Sequence, residues 1–153
     1  MPDDASTATT AALMAFIGNA VDMDYGCGTS GAQSDDASDA FRNVLGYGNA
    51  SNVSDFNHST VKQQLNWNDP VYLAAYRSKK RCFLGWCSYE NGHAWVTDGY
   101  KSTYYCESGT SYLLLHMNWG WGGFSDSWYA YNRWNPGTLD YQYKKRMIYN
   151  IRP

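Results

Sequence analysis

A histidine that follows a glycine, and an asparagine that precedes a tryptophan, are the residues of this chain best suited to chemistry. His93 lies in Asn91-Gly92-His93-Ala94-Trp95-Val96-Thr97-Asp98-Gly99-Tyr100. Asn118 and Trp119 lie in Leu115-His116-Met117-Asn118-Trp119-Gly120-Trp121-Gly122-Gly123. An imidazole steered by an amide and roofed by an indole can take up and return a proton, which is what a thiol nucleophile asks of its base. Gly92 lets backbone or substrate come close to that ring. The strand-like residues after His93 fix the ring's origin on a rigid element. A buried Asn118 amide needs a partner, since an unsatisfied one costs about 1–3 kcal/mol. Trp119 beside it would exclude water and strengthen the bond. The other two histidines have weaker settings: His58 sits in the polar run Asn57-His58-Ser59 and reads as solvated, and His116 alternates with Leu115 and Met117 and reads as structural.

The nucleophile is harder to find. The four cysteines, Cys27, Cys82, Cys87 and Cys106, lack the paired spacing of a zinc site, and no histidine stands at ligand distance to complete one. They allow three fully paired connectivities. Cys82 and Cys87 flank Phe83-Leu84-Gly85-Trp86, a loop that a disulfide could close, and free thiols fit the sequence equally well. A catalytic thiolate needs a cation or a helix N-terminus beside it. Cys82 follows Lys79, Lys80 and Arg81 but has no helix; Cys27 lies between glycines with neither.

These residues must be positioned by helices that come first and strands that follow. Leu13, Phe16, Ile17, Ala20 and Val21 recur at helical spacing, which predicts a helix over 9–21 after a frayed end at 1–8. Ser34 or Asp35 can cap a second helix that Gly46 stops, with Ala37, Phe41, Val44 and Leu45 on one face. Ser59 can cap a third, short helix that turns Val61, Gln64 and Leu65 inward and ends near Asn66, ahead of Asp69-Pro70. Strands are predicted over 71–76, 94–100, 112–118, 126–131 and 146–151. The mostly apolar second and third of these suit burial on both faces. Residues 77–91, 99–109 and 132–143 read as connections. This is an α+β order in one domain, without repeats or a dividing linker.

Composition narrows the function classes. A chain of 153 residues can bury a real core, and its net charge of −2 gives no reason to expect a nucleic-acid or anionic-membrane partner. No apolar run approaches the ~20 residues of a membrane span, and Met1-Pro2-Asp3-Asp4 has no basic or apolar leader pattern. The 14 Tyr, 7 Trp and 5 Phe suit a β-rich core with a tyrosine-lined surface, or else a surface that binds carbohydrate or peptide.

Taken together, the two segments resemble the streptopain family of cysteine peptidases. Gly92 to Gly99 match its Gly-His-Ala-(aromatic)-Val-x-Asp-Gly strand, and His116 to Gly123 match its His-x-Asn-Trp-Gly-Trp-Gly-Gly motif without a gap. Val21-Asp22-Met23-Asp24-Tyr25-Gly26 and Pro70-Val71-Tyr72 are similar to two further family segments, in the same order. The resemblance runs from about Ala12 to Pro153. It implies a papain-like α+β fold, with His93 as catalytic base and acid, Asn118 orienting it and Trp119 shielding the contact. Gly92 and the loop around Gly31 would offer backbone to an extended substrate. It implies no metal or organic cofactor, and export by a bacterium to its surface or surroundings.

The resemblance also carries a departure. The family's nucleophile lies in a Gly-Cys-Val-Ala-Thr-Ala segment that opens a helix well ahead of the Val-Asp-Met-Asp-Tyr-Gly stretch, and no such segment occurs here. The expectation is therefore a partial domain over 1–153, completed by a second polypeptide that carries the cysteine. Protein or peptide substrates, and a propeptide or inhibitor, are the other partners implied. One competing reading is a peptide-binding relative that lost its nucleophile. Another is a carbohydrate-binding β domain, against which the helices before Pro70 and the lack of a repeated Trp pattern count.

Overall fold

The computed structural model describes residues 4–80 and 82–153. Helix α1 (Asp4–Ala20) leads through the two-residue strands β1 (Asp24–Tyr25) and β2 (Ser30–Gly31) to α2 (Ser34–Asn43), β3 (Ser54–Asp55) and α3 (His58–Asn66). Five strands follow: β4 (Val71–Lys79), β5 (Tyr89–Tyr105), β6 (Thr110–Asn118), β7 (Ser127–Ala130) and β8 (Tyr143–Ile148). The main sheet is antiparallel throughout, in the order β3-β8-β4-β5-β6-β7. The helices-then-sheet expectation holds.

One face of that sheet makes the core. Leu73 and Ala75 of β4, Trp95 of β5, Leu115 and Met117 of β6 and Met147 of β8 all point to it, and Val61 of α3, Trp134 and Tyr141 close it. Packing on β4 is two-sided, because the Tyr72 hydroxyl lies 3.1 Å from the Ser34 hydroxyl at the start of α2. Strands β5 and β6 are one-sided, contrary to the apolar reading of their sequences. Trp95 and Thr97 are buried, whereas Ala94, Val96 and Asp98 face outward. Alternation of side chains across a strand sets this pattern once one face is covered.

Several boundaries move for physical reasons. The end expected to fray is helical from Asp4; residues 1–3 lie outside the described residues. Asn57, not Ser59, caps α3: its Oδ1 accepts from the backbone N–H groups of Ser59 and Thr60 at 2.9 and 3.1 Å. Neither Ser34 nor Asp35 caps α2. Its N-cap is Gln33, which makes no side-chain bond there, and the Ser34 hydroxyl is engaged with Tyr72. The connection expected over 77–91 is strand at 77–79 and 89–91, and that over 99–109 is strand as far as Tyr105, so that two long hairpins continue past the core. A disulfide joins Cys82 to Cys87, while Cys27 and Cys106 are free and exposed.

Helix α1 is less well covered. It packs mainly on α2 and leaves Leu13, Met14 and Phe16 at 53, 63 and 50 % exposure. Gly18 allows what contact there is below, since a Cβ on it would overlap the Tyr25 hydroxyl, 1.8 Å away. Stability should therefore be uneven. By hydrogen exchange, amides of α1 should exchange well before those of β4 and β5. Leu73→Ala, at a fully buried site, should lower unfolding free energy by about 2–5 kcal/mol in chemical denaturation.

Candidate active site

His93 stands on β5 opposite Ala75 of β4, with its ring on the core side of the sheet. Register decides its neighbours. Val96 pairs with Asn118 and Thr97 with Met117, so the inward positions are His93, Trp95 and Thr97 on β5 and Leu115, Met117 and Trp119 on and just past β6. The imidazole is half-buried among four aromatic rings. Trp121 stacks on it at 4.9 Å between centroids, Tyr141 lies at 5.7 Å, Trp95 at 6.0 Å and Trp119 at 6.2 Å.

The ring makes one hydrogen bond: Nε2 lies 2.9 Å from the backbone carbonyl oxygen of Trp119. A carbonyl only accepts, so Nε2 carries the proton and donates. In the neutral ring Nδ1 is then left with a lone pair able to accept a proton. Burial lowers the His93 pKa below its ordinary value, and the bond to the Trp119 carbonyl partly opposes that shift. The cage thus favours a neutral imidazole of fixed tautomer.

Asn118 is not brought to His93. It is exposed on the other side of the strand, where its Oδ1 accepts from the Gly120 N–H at 3.0 Å and braces the turn into Gly120-Trp121. The orienting contact expected of its amide is made by the main chain of Trp119. Trp119 is fully buried, and its backbone N–H donates to Asp126 Oδ1 at 2.9 Å. Among the described residues, none accepts a hydrogen bond from its buried indole Nε1. Tyr141 and Asp126 were missed in the sequence, because each lies in a stretch read as a connection or strand edge with no motif of its own.

Gly92 is exposed, and the Tyr76 ring lies against it; a Cβ there would stand 2.9 Å from Tyr76 Cε1. Gly31 is exposed in β2, paired with Asp24, in open space. His116 faces away from the core, where its Nδ1 donates to Asp98 Oδ1 at 2.6 Å and its ring meets Trp128. A β-bulge between Thr97 and Gly99 aims Asp98 at it. His58, exposed at the start of α3, packs its ring on Tyr131 and lines an open groove of about 400 Å³ with Lys62, Asn66 and Ser111. Among the described residues there is no group of three or more His, Cys, Asp or Glu able to hold a metal ion.

No cysteine is among the described hydrogen-bond or ring neighbours of His93. Cys82 and Cys87 are bonded to each other. Cys106 follows the far end of β5, roughly 40 Å from His93 at about 3.3 Å per residue. Cys27 lies exposed between β1 and β2.

An antiparallel sheet behind leading helices, with a caged histidine of fixed tautomer on its core face, is a papain-like arrangement. The chain belongs to the Peptidase C10 family, whose profile matches residues 1–129. It is 34 % identical over 134 residues to streptopain of Streptococcus pyogenes serotype M28, covering 83 % of this chain and 29 % of that protein. It is 35 % identical over 79 residues to the thiol protease/hemagglutinin PrtT of Porphyromonas gingivalis, covering 52 % of this chain and 7 % of that one. Among solved structures, active wild-type interpain A cysteine protease of Prevotella intermedia superposes with a TM-score of 0.65 and 26 % identity, covering 89 % of this chain and 53 % of that one. The chain thus spans less than a third of the curated relatives it matches. The fold is papain-like and the family is one of cysteine peptidases.

Because the folded His93 pKa is lowered, its unfolded form binds a proton first as pH falls. The burial of neutral His93 therefore supports folding fully above the unfolded value of about 6.5, and that support is lost as pH drops from there through the folded value. The midpoint of thermal unfolding should fall between pH 7 and pH 5, and His93→Gln should flatten that part of the profile.

Proposed function

We propose that this chain supplies the general base and acid of a cysteine endopeptidase whose nucleophilic cysteine belongs to a polypeptide segment other than residues 1–153. The supporting observation is the Nε2–H bond to the Trp119 carbonyl, which leaves His93 Nδ1 as the proton acceptor. A thiol placed beside Nδ1 gives up its proton to form a thiolate–imidazolium pair. The thiolate attacks the peptide carbonyl carbon, and the imidazolium protonates the departing amine. Water, losing its proton to His93, then hydrolyses the thioester and frees the thiol. Trp119 and Trp121 shield the imidazole, and Asn118 acts as a positioning residue by holding the turn that carries Trp121. Gly92 and Gly31 offer main chain to an extended peptide substrate. An exported protein suits the Cys82–Cys87 disulfide, which persists in oxidising surroundings.

His93→Ala in the assembled enzyme should lower kcat/KM by about 10²–10⁴-fold in protein that circular dichroism shows to be folded; near-normal turnover would remove His93 from the mechanism. His116→Ala breaks the bond to Asp98 and should shift the unfolding midpoint more than the turnover.

A peptide vinyl sulfone should label the active enzyme at a cysteine outside this chain. Mass spectrometry that places the adduct on Cys27, Cys82, Cys87 or Cys106 would make the chain a self-contained enzyme. Specific binding of substrate peptides by a protein that no thiol reagent labels and that cleaves nothing would favour the peptide-binding relative.

A further inference from the structure

The hairpin between β4 and β5 ends in a feature that the peptidase reading does not use. Phe83 and Trp86 exchange backbone hydrogen bonds in both directions at 2.9 Å, and the Cys82–Cys87 disulfide closes the ladder just behind them. Leu84 and Gly85 fill the turn with φ of 47° and 85°. This left-handed geometry matches the twist of a hairpin and favours Asn or Gly at both places. A leucine there is strained, and its side chain reaches solvent instead of a contact that offsets the strain. Phe83, Leu84 and Trp86 are 76, 83 and 85 % exposed, so three large apolar side chains stand together on a convex tip.

Charge is gathered behind that tip. Between residues 77 and 90 the sequence places Arg77, Lys79, Lys80 and Arg81 against the single acid Glu90. Lys79 and Lys80 are exposed, and Lys80 pairs with Glu90 across the hairpin. Lys144 adds a cation at the base, 5.3 Å above the Tyr89 ring. The net charge of −2 conceals this local excess.

We propose that the Phe83-Leu84-Gly85-Trp86 tip is a membrane-docking wedge that inserts into the surface of an anionic lipid bilayer. A convex apolar tip with a basic collar complements a fluid apolar layer lying under anionic headgroups. Lys80 precedes Leu84 by about 13 Å at roughly 3.3 Å per residue. It therefore meets the headgroups when the tip lies ~5–10 Å deep. Lysine stems reach the interface while their ammonium groups stay in water. The disulfide and the paired turn hold the wedge in shape beforehand, so little ordering opposes insertion. Because the hairpin is continuous with β5, docking would hold His93 roughly 20 Å above the bilayer surface, the rest of the ~30 Å of strand being the inserted tip. The wedge itself does not depend on the catalytic reading.

The test is co-sedimentation of the intact protein with vesicles of phosphatidylcholine alone or mixed with phosphatidylglycerol, at low and high salt. The protein should sediment with the anionic vesicles, and high salt should release it. The Leu84→Asn, Trp86→Ser variant should lower the partition coefficient by about tenfold or more. Lys79→Glu, Lys80→Glu should lower it too and abolish the salt dependence. Leu84→Asn alone should raise the unfolding midpoint, because Asn suits the turn, while weakening vesicle binding; this separates a lost wedge from a damaged fold. Absence of vesicle binding, or binding undiminished in the tip variant, would overturn the proposal. So would a concentration-dependent dimer that the tip variant abolishes without any effect on vesicles, since the tip would then serve a second copy of the chain.

Discussion

The register between β5 and β6 is the constraint on which the site depends. With Thr97 opposite Met117, the odd-numbered positions of β6 and of β5 as far as Thr97 face the core. His93 and Trp119 thereby meet on one side of the sheet and Asn118 is sent to the other. A slip of one residue would exchange those faces, moving Asn118 inward and expelling the indole that packs the cage. Buried Trp95, Leu115, Met117 and Trp119 lock the register, because each would lose its burial in the shifted pairing. The bulge at Asp98 then lets the pairing continue while Asp98 reaches His116 on the outer face.

That packing has a chemical consequence. Rings from Trp95, Trp119, Trp121 and Tyr141 replace water around the imidazole. Removing water disfavours the charged ring, and a carbonyl that can only accept selects which nitrogen keeps the proton. One environment thus sets both charge and tautomer. The cost is visible at Trp119, whose buried Nε1 has no acceptor among the described residues and so sacrifices about 1–3 kcal/mol.

Stability is concentrated in the central strands. His93 is carried by the central strands, between α3 and the Trp134–Tyr141 segment, while α1 and the ends of both long hairpins leave apolar surface in solvent. The exposed stripe of α1 and the stapled tip at Leu84 lie on different parts of the molecule and need not share a partner.

Much of this was legible in the sequence, and the parts that were not have a common cause. Periodicity of 3.6 placed the three helices, and apolar runs placed the strand cores at Val71, Trp95 and Leu115, because those patterns are local. The two glycine-bounded motifs located His93 and the Asn118-Trp119 pair for the same reason. The hairpin extensions at 77–79, 89–91 and 99–105 have no signature in the sequence, because polar, solvent-facing strands carry no apolar alternation and form only through pairing with a neighbour. The partner of Cys82 was undetermined among the possible connectivities until the hairpin brought Cys87 beside it. Local sequence names the residues at Asn118 and Trp119; which of them faces His93 is decided by a partner strand more than twenty residues away in the chain, so only the tertiary structure could assign the orienting group to the Trp119 carbonyl.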